Sequence, residues 1–154
     1  MVINIVKYTD IITAINKKLL GKFPSIKLMS ESDITEKIVR PSFFVSLDNL
    51  KSNKFCDSAL DKKITIRIYY YPKDDKKNKI ENLNMIDSLN EIFVEDNIIK
   101  INEDFNIEIF DEVEIDIVDK VVHFYFNIFT SENIVVNEGD IEMMEELEFK
   151  TNIK

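Results

Sequence analysis

The side chains that most often act in catalysis are scarce in this sequence, which holds one histidine and one cysteine. His123 stands in an alternating segment typical of a strand, and a catalytic base there would need a partner placed beside it. Cys56 could act as a nucleophile only with a base close by, because the thiolate is the reactive form. We therefore expect His123 at a surface or interface and Cys56 as a small, half-buried thiol, and we predict no catalytic residue.

Carboxylates are the second group with possible chemistry. Glu108, Glu112, Glu114 and Asp116 fall on one face of a predicted strand, and such a row could bind a cation. Calcium loops, however, gather their oxygen ligands on a curved backbone with a glycine at the bend. A solvated face, or a face that meets lysines of a neighbouring subunit, fits a flat strand better. A second acidic run, Asp140 to Glu148, is interpreted as solvated too, and no metal or cofactor is predicted.

Aromatic and cationic side chains form a cluster with two interpretations. Arg67, Tyr69 and Tyr71 share one phase of a predicted strand, and Tyr and Arg are enriched in interface hot spots. The alternative is that the tyrosines cover a second layer or lie exposed in water. Phe110 and Tyr125 likewise fall on the polar phases of their strands, where each could pack under a helix or face a partner.

Composition excludes several classes of protein. The chain of 154 residues predicts a single domain, and its net charge of −9 argues against nucleic-acid binding, which needs clustered cations. With only 2 glycines, phosphate-cradling glycine loops are absent. No apolar run of about 18 residues is present, so no transmembrane helix is expected. The start carries Lys7 and Asp10 without a cleavage-site pattern, so no signal peptide is expected, and the lone cysteine agrees with a reducing cytoplasm.

A long hairpin from Phe105 to Thr130 organises the predicted fold. Apolar residues alternate with polar ones up to Ile117, Asp119-Lys120 offers a turn, and the alternation resumes from Val122. Because strand side chains point to opposite faces with period two, we expect one apolar and one acidic face.

The other elements should cover the apolar face of this hairpin. Spacings of three and four residues predict amphipathic helices over Asn4–Lys22 and Lys79–Val94, the second with Ile80, Leu83, Ile86, Leu89 and Phe93 inward. Strands are predicted at 26–29, 43–47, 62–71 and 98–101, with 48–63 as a loop or a ragged hairpin. This order predicts an α+β two-layer sandwich, a mainly antiparallel sheet with two helices on one face. Residues 138–154 are expected to form an extension or an added strand.

Several segments together carry a resemblance to a known family. They are Val6–Leu20, Arg40–Val45, Ile64–Pro72, Leu83–Leu89, His123–Phe126 and Met144–Phe149. In these segments the chain resembles the tail terminator, or tail completion, proteins of phages and prophages of low-GC Gram-positive bacteria, including those of phage-tail-like bacteriocins. The resemblance covers nearly the whole chain.

The resemblance implies a non-enzymatic structural protein of the phage tail, assembled in the bacterial cytoplasm. Its protomers would form a ring, commonly a hexamer, that caps the last ring of the tail tube, ends its polymerisation and meets the neck or collar or, in contractile tails, the sheath. DNA would be involved only by transit through the lumen, and no membrane would be involved. Candidate contacts with subunits or tube are Arg40, Phe44, Arg67, Tyr69, Tyr71, Phe110, Tyr125 and Phe149.

Three segments are expected at interfaces, namely the Ser30–Arg40 loop, the charged Pro72–Lys79 loop and the C-terminal strand. A small acidic cytoplasmic binding or adaptor module without catalytic activity is the alternative function.

Overall fold

A computed structural model of the chain describes residues 5–134. Three helices precede or interrupt the strands, and a π-helical turn, Glu91–Glu95, extends the third helix. In chain order they are α1 Tyr8–Lys22, β1 Lys27–Leu28, α2 Glu31–Glu36, β2 Ser42–Cys56, β3 Ala59–Tyr71, α3 Lys79–Asn90, β4 Ile98–Lys100, β5 Asn106–Glu108, β6 Glu114–Val118 and β7 Val121–Asn133.

Five of the strands form one sheet in the order β1-β2-β3-β7-β6, in which only the β1–β2 pair is parallel. Strands β4 and β5 form a separate antiparallel pair. One face of the large sheet carries the buried aliphatic and aromatic rows of β3 and β7, and α1 and α3 bury their apolar sides in the same core cluster. The predicted α+β sandwich, with a mainly antiparallel sheet and two helices on one face, is confirmed.

The first helix begins later than the spacing predicts, at Tyr8. The backbone N–H of Lys7 donates to the Asp10 carboxylate at 3.0 Å, which caps the helix and leaves the preceding described residues extended. Ile15 and Leu19 are buried, as the helical spacing predicts. The spacing also predicts Ile12 inward, but Ile12 is half-buried and Ile11 is buried in its place. Residue 4, the predicted start, lies outside the described residues.

The predicted inward side of the helix over Lys79–Val94 is confirmed at Leu89 and Phe93, which are buried, and at Ile86, which packs against the core, but not in the first turns. Ile80 and Leu83 are exposed, whereas Asn82 and Met85 are buried. Asn82 Nδ2 donates to the carbonyl of Lys120 at 2.9 Å, which ties the helix to the turn between β6 and β7. This tertiary hydrogen bond gives the buried Asn82 amide a partner, which is consistent with its inward position.

The long hairpin is present only in its distal part. Strand β6 pairs with β7 around a turn in which Asp119 and Lys120 both have positive φ, as a two-residue hairpin turn requires. Strand β5, by contrast, pairs with β4. The prediction of one continuous strand from Phe105 to Ile117 is therefore wrong.

The segment predicted as a loop or ragged hairpin is a long hairpin. Strands β2 and β3 pair from Ser42–Tyr71 to Cys56–Ala59, with an irregular register between Asp48 and Lys51. Asn49 lies at this irregularity with φ 51°, and all residues of 49–56 are exposed. The ragged-hairpin alternative is the correct one, and its outer half forms a projecting arm. Within the predicted Ser30–Arg40 loop, the structure has the short helix α2.

A buried ion pair closes the core at the arm end of the sheet. Lys62 Nζ lies 3.4 Å from Glu132 Oε1, and the two side chains are 7% and 5% exposed. Lys62 also donates to the carbonyl of Val6, and Glu132 accepts from the Val6 N–H at 3.0 Å. The pair thus fixes the residues before α1 to the ends of β3 and β7.

Candidate functional site

Six of the eight candidate contact residues lie together on the outer face, which we define as the face of the large sheet opposite α1 and α3. They come from β2, β3 and β7, and from the residue two positions before β2. Period-two alternation places them there, because the residues between them are buried in the core. The six residues are Arg40, Phe44, Arg67, Tyr69, Tyr71 and Tyr125.

Strand register builds a row of aromatic rings across this face. Phe44 is opposite Tyr69 in the β2–β3 pair, and their ring centroids are 5.7 Å apart. Tyr69 is opposite His123 in the β3–β7 pair, and these rings meet edge to face at 4.7 Å. Cross-strand aromatic pairs of this kind stabilise a sheet and present a rigid, half-buried surface.

Arg67 occupies the centre of the outer face. Its guanidinium lies 4.5 Å from the ring centroid of Tyr125, which is its partner in the β3–β7 register. Its Nε is 3.3 Å from Asp48 Oδ2, an ion-pair contact without hydrogen-bond geometry. The arginine is thus held between an aromatic ring and a carboxylate.

An acidic pair on β6 extends the outer face on the far side of Tyr125. The Tyr125 hydroxyl donates to Glu114 at 2.8 Å and lies 3.3 Å from Asp116. The hydrogen bond to Glu114 raises the pKa of Tyr125. A positive centre is therefore flanked by Asp48 on one side and by two carboxylates on the other, a pattern that can discriminate between partners by charge.

Arg40 and Tyr71 form a separate contact near the start of β2. The Arg40 guanidinium lies 5.9 Å from the Tyr71 ring centroid and donates through Nη1 to the carbonyl of Pro72 at 3.1 Å. Burial is the main reason that the pKa of Tyr71 is raised. This contact ties the segment before β2 to the beginning of the charged loop.

His123 makes the outer face sensitive to acid. Its pKa is lowered, chiefly by burial and then by the positive charge of Arg67, although Asp116 and Asp119 act in the opposite direction. The unfolded chain takes up this proton near about pH 6.5 and the folded chain only at lower pH. The folded state then binds fewer protons, so this histidine lowers stability as the pH falls below that value.

We expect His123→Gln to reduce the acid sensitivity of stability. Urea unfolding midpoints of both proteins at about pH 7.5 and about pH 5.5 measure it, and the decline should be smaller in the variant. Since carboxylates contribute to both proteins alike, the difference isolates the histidine. An equal decline in both proteins would contradict the proposed burial of a neutral imidazole.

No nucleophile–base pair forms in the described residues. Cys56 pairs with Ala59 at the tip of the β2–β3 hairpin, whereas His123 pairs with Tyr69 near the other end of β3. Cys56 is exposed rather than half-buried as predicted, because it lies on the projecting arm. Contact with Ser58 lowers its pKa. Within residues 5–134, no group of three or more His, Cys, Asp or Glu could hold a metal ion. The arrangement favours recognition of a surface.

The remaining candidates lie elsewhere. Phe110 is 68% exposed in the segment between β5 and β6, away from the aromatic row. Phe149 and the predicted C-terminal strand lie outside the described residues, as does the second acidic run. The predicted acidic row is divided: Glu108 belongs to the β4–β5 pair and Glu112 to the connecting segment, so only Glu114 and Asp116 share a strand face.

The sequence did not single out Asp48 or the role of His123 as a ring partner of Tyr69. Both follow from strand register, which pairs β3 with β2 on one side and β7 on the other. The alternation of residue types identifies the phase of a strand but not its neighbours, so the only available signal was the common phase.

Comparison with protein families gives a match over most of the chain. The model of a family described as phage tail terminator protein matches residues 10–140. No curated protein matches the chain. None of the helices in the part of the chain that the structure describes has the length and apolar character needed to cross a membrane.

Proposed function

The chain belongs to the phage tail terminator protein family, and from this premise we propose that it forms a ring on the end of a phage-like tail tube. The ring, most simply a hexamer, stops addition of further tube subunits and connects the tube to the neck, the collar or the sheath. The match over residues 10–140, which covers every element described above except the first two residues of α1, is the observation that carries this proposal. It favours a tail role over the alternative of an acidic cytoplasmic adaptor.

The outer face supplies the contact surface that such a role needs. Its aromatic rings and Arg67 are half-buried and already held by neighbours, so little side-chain freedom is lost when a partner covers them. Tyrosine and arginine in such settings are the residue types that dominate binding energy. We propose that Arg67, Tyr69 and Tyr125 lie at the centre of a subunit or tube contact.

Phe44, Tyr71 and Arg40 extend this surface toward the start of β2, and we place Phe110 at a separate contact. The Ser30–Arg40 segment and the Pro72–Lys79 loop remain proposed interface regions. The net charge of −9 suits a ring whose lumen DNA crosses without adhering, in a particle that carries DNA.

Purified tail-tube protein provides the test. Added to polymerising tube subunits, the wild-type chain should shorten the tubes and appear as a cap by electron microscopy. Light scattering at modest salt should report a ring, either free or on the tube end.

The triple variant Arg67→Ala, Tyr69→Ala and Tyr125→Ala should raise the concentration needed for half-maximal capping by about ten-fold or more. Ile80→Ala with Leu83→Ala is the matched control, because both side chains are exposed on the outer side of α3. Circular dichroism establishes that each variant is folded. Full capping by the triple variant would reject the outer face as the contact, and failure of the wild-type chain to cap any tube would reject the terminator role.

A further inference from the structure

A second concave surface lies far from the outer face, between α1 and β4. It is an open groove of about 1080 Å³, bordered by the residues before α1 and by those that follow β4. We call it the lysine groove, because Lys7, Lys17 and Lys100 line it and all three are exposed. Ala14 and Ile101 give it an apolar floor.

The charges around this groove are unevenly compensated. Lys18 pairs with Asp96 at 3.2 Å, and two further carboxylates, Asp10 and Glu103, also line the groove. Asp10 accepts the N–H of Lys7 as a helix cap. Within residues 5–134, the ammonium groups of Lys7, Lys17 and Lys100 have no ion-pair partner. Four lysines against three carboxylates leave the lining with a net charge of +1 in a chain of net charge −9, and a positive groove with an apolar floor favours an acidic, partly apolar occupant.

A free strand edge also borders the groove. The N–H of Ile109 donates to the carbonyl of Asn97, and Ile99 is paired with Ile107. Because antiparallel pairs alternate, the backbone groups of Ile98 and Lys100 point away from β5. Lys18 Nζ donates to the Ile98 carbonyl at 2.6 Å, which places this edge toward α1. An extended segment in the groove could therefore find backbone partners as well as lysines.

The chain beyond β7 starts close to this groove. Glu132 accepts the N–H of Val6, whose two neighbours, Ile5 and Lys7, line the groove. Residues 135–154 follow at once, and the first four of them can span about 13 Å. Within them, 138–149 carries six carboxylates and no lysine or arginine, together with Ile141, Met143, Met144, Leu147 and Phe149.

We propose that residues 138–149 dock in the lysine groove of the same chain. The carboxylates neutralise Lys7, Lys17 and Lys100, and the apolar side chains cover the floor. The short connection makes the local concentration of this segment far higher than that of a second copy, so docking within one chain is favoured. The inference does not depend on the ring or on tube capping.

Carbodiimide cross-linking of the full-length chain, followed by peptide mass spectrometry, tests this contact. The reagent joins a lysine amine directly to a carboxylate in contact with it. We expect links from Lys17 and Lys100 to residues within 138–149. Charge reversal of the groove (Lys7→Glu, Lys17→Glu, Lys100→Glu) should remove the docked state, and reversal of the segment (Glu142→Lys, Glu145→Lys, Glu146→Lys) should remove the links.

Hydrogen exchange gives a readout that does not depend on the reagent. The amides of Ile98 and Lys100, which point away from β5, should exchange about ten-fold faster in either reversed variant than in the wild-type chain. Combining both reversals should restore much of the protection. The matched control reverses three lysines of the charged loop, Lys73→Glu, Lys76→Glu and Lys77→Glu, and should change neither the links nor the exchange.

Two results would overturn the proposal. One is unchanged exchange of the amides at positions 98 and 100 in both reversed variants, whatever links are found. The other is a link between chains: in a mixture of ¹⁴N and ¹⁵N protein, links that join a light to a heavy peptide would place the segment in a neighbouring copy. Capping activity plays no part in either measurement, so failure here leaves the proposed tail role untouched.

Discussion

Replacement of Phe93 by alanine should lower the free energy of unfolding by about 3–5 kcal/mol. Phe93 lies in the π-helical turn after α3, is fully buried, and contacts both Phe124 and Phe126 with ring centroids 5.9 and 5.5 Å away. The Lys18 ammonium covers the same ring at 5.6 Å. Truncation removes a ring that packs against two residues of β7 and lies beneath Lys18 of α1, so it leaves a cavity in the core.

Urea unfolding followed by circular dichroism measures this loss. Phe110→Ala is the matched control, since it makes the same chemical change at a side chain that is 68% exposed, and its effect should stay within about 0.5 kcal/mol. If Phe93→Ala lowers the free energy of unfolding by less than about 1 kcal/mol, Phe93 is not a central packing residue of the core.

The second large effect concerns the buried ion pair between Lys62 and Glu132. Glu132→Gln keeps an acceptor for the Val6 N–H but leaves the Lys62 ammonium buried without a counter-charge. Breaking a buried pair in this way costs about 3–5 kcal/mol. Lys62→Met should cost a similar amount, because it leaves the carboxylate unpaired.

The double variant distinguishes this mechanism from loss of packing. The double variant buries no unpaired charge, because both members of the ion pair have been replaced. It should therefore be more stable than either single variant. The exposed pair of Lys54 and Asp57, at 58% and 96% side-chain exposure, serves as control, and its removal should change stability by less than about 1 kcal/mol. Additive losses in the buried double variant would contradict the account.

The alternation of apolar and polar residues was sufficient to predict which side chains of the central strands are buried. Ile64, Ile66 and Ile68 are buried, as are Phe124 and Phe126, because a strand at the centre of a two-layer fold must turn its apolar phase to the helices. The turn at Asp119-Lys120 was also predictable, since only a two-residue connection separates the two alternating runs.

The sequence does mark the break between β5 and β6. Asp111 occupies an apolar phase and Phe110 a polar one, so the alternation fails at 110–111, where the strand ends. In α3, spacing alone favoured Ile80 and Leu83 inward, but Asn82 is buried instead and donates to the Lys120 carbonyl. A contact between elements 38 residues apart in sequence is beyond any local pattern.

On the outer face, too, the sequence predicts which residues share a strand phase but not which strands are neighbours. Residue types and phase identified Arg67, Tyr69 and Tyr125 as one set, and the common phase is what places them together. The carboxylates that surround Arg67 come from two other strands, and only the pairing order of the sheet brings them near.

The projecting arm affects how the protein behaves before it meets any partner. Among the described residues, β1 covers only the first two residues of β2, so the rest of that strand has an open edge. Long, flat, exposed strand edges can pair with the edges of other copies, and such pairing leads to aggregation. Here the irregular register at Asn49 bends the edge, and the charges of Lys51 and Lys54 repel a second edge of the same kind. Newly made copies should therefore stay dispersed at high concentration, and losing those charges should shorten their storage life.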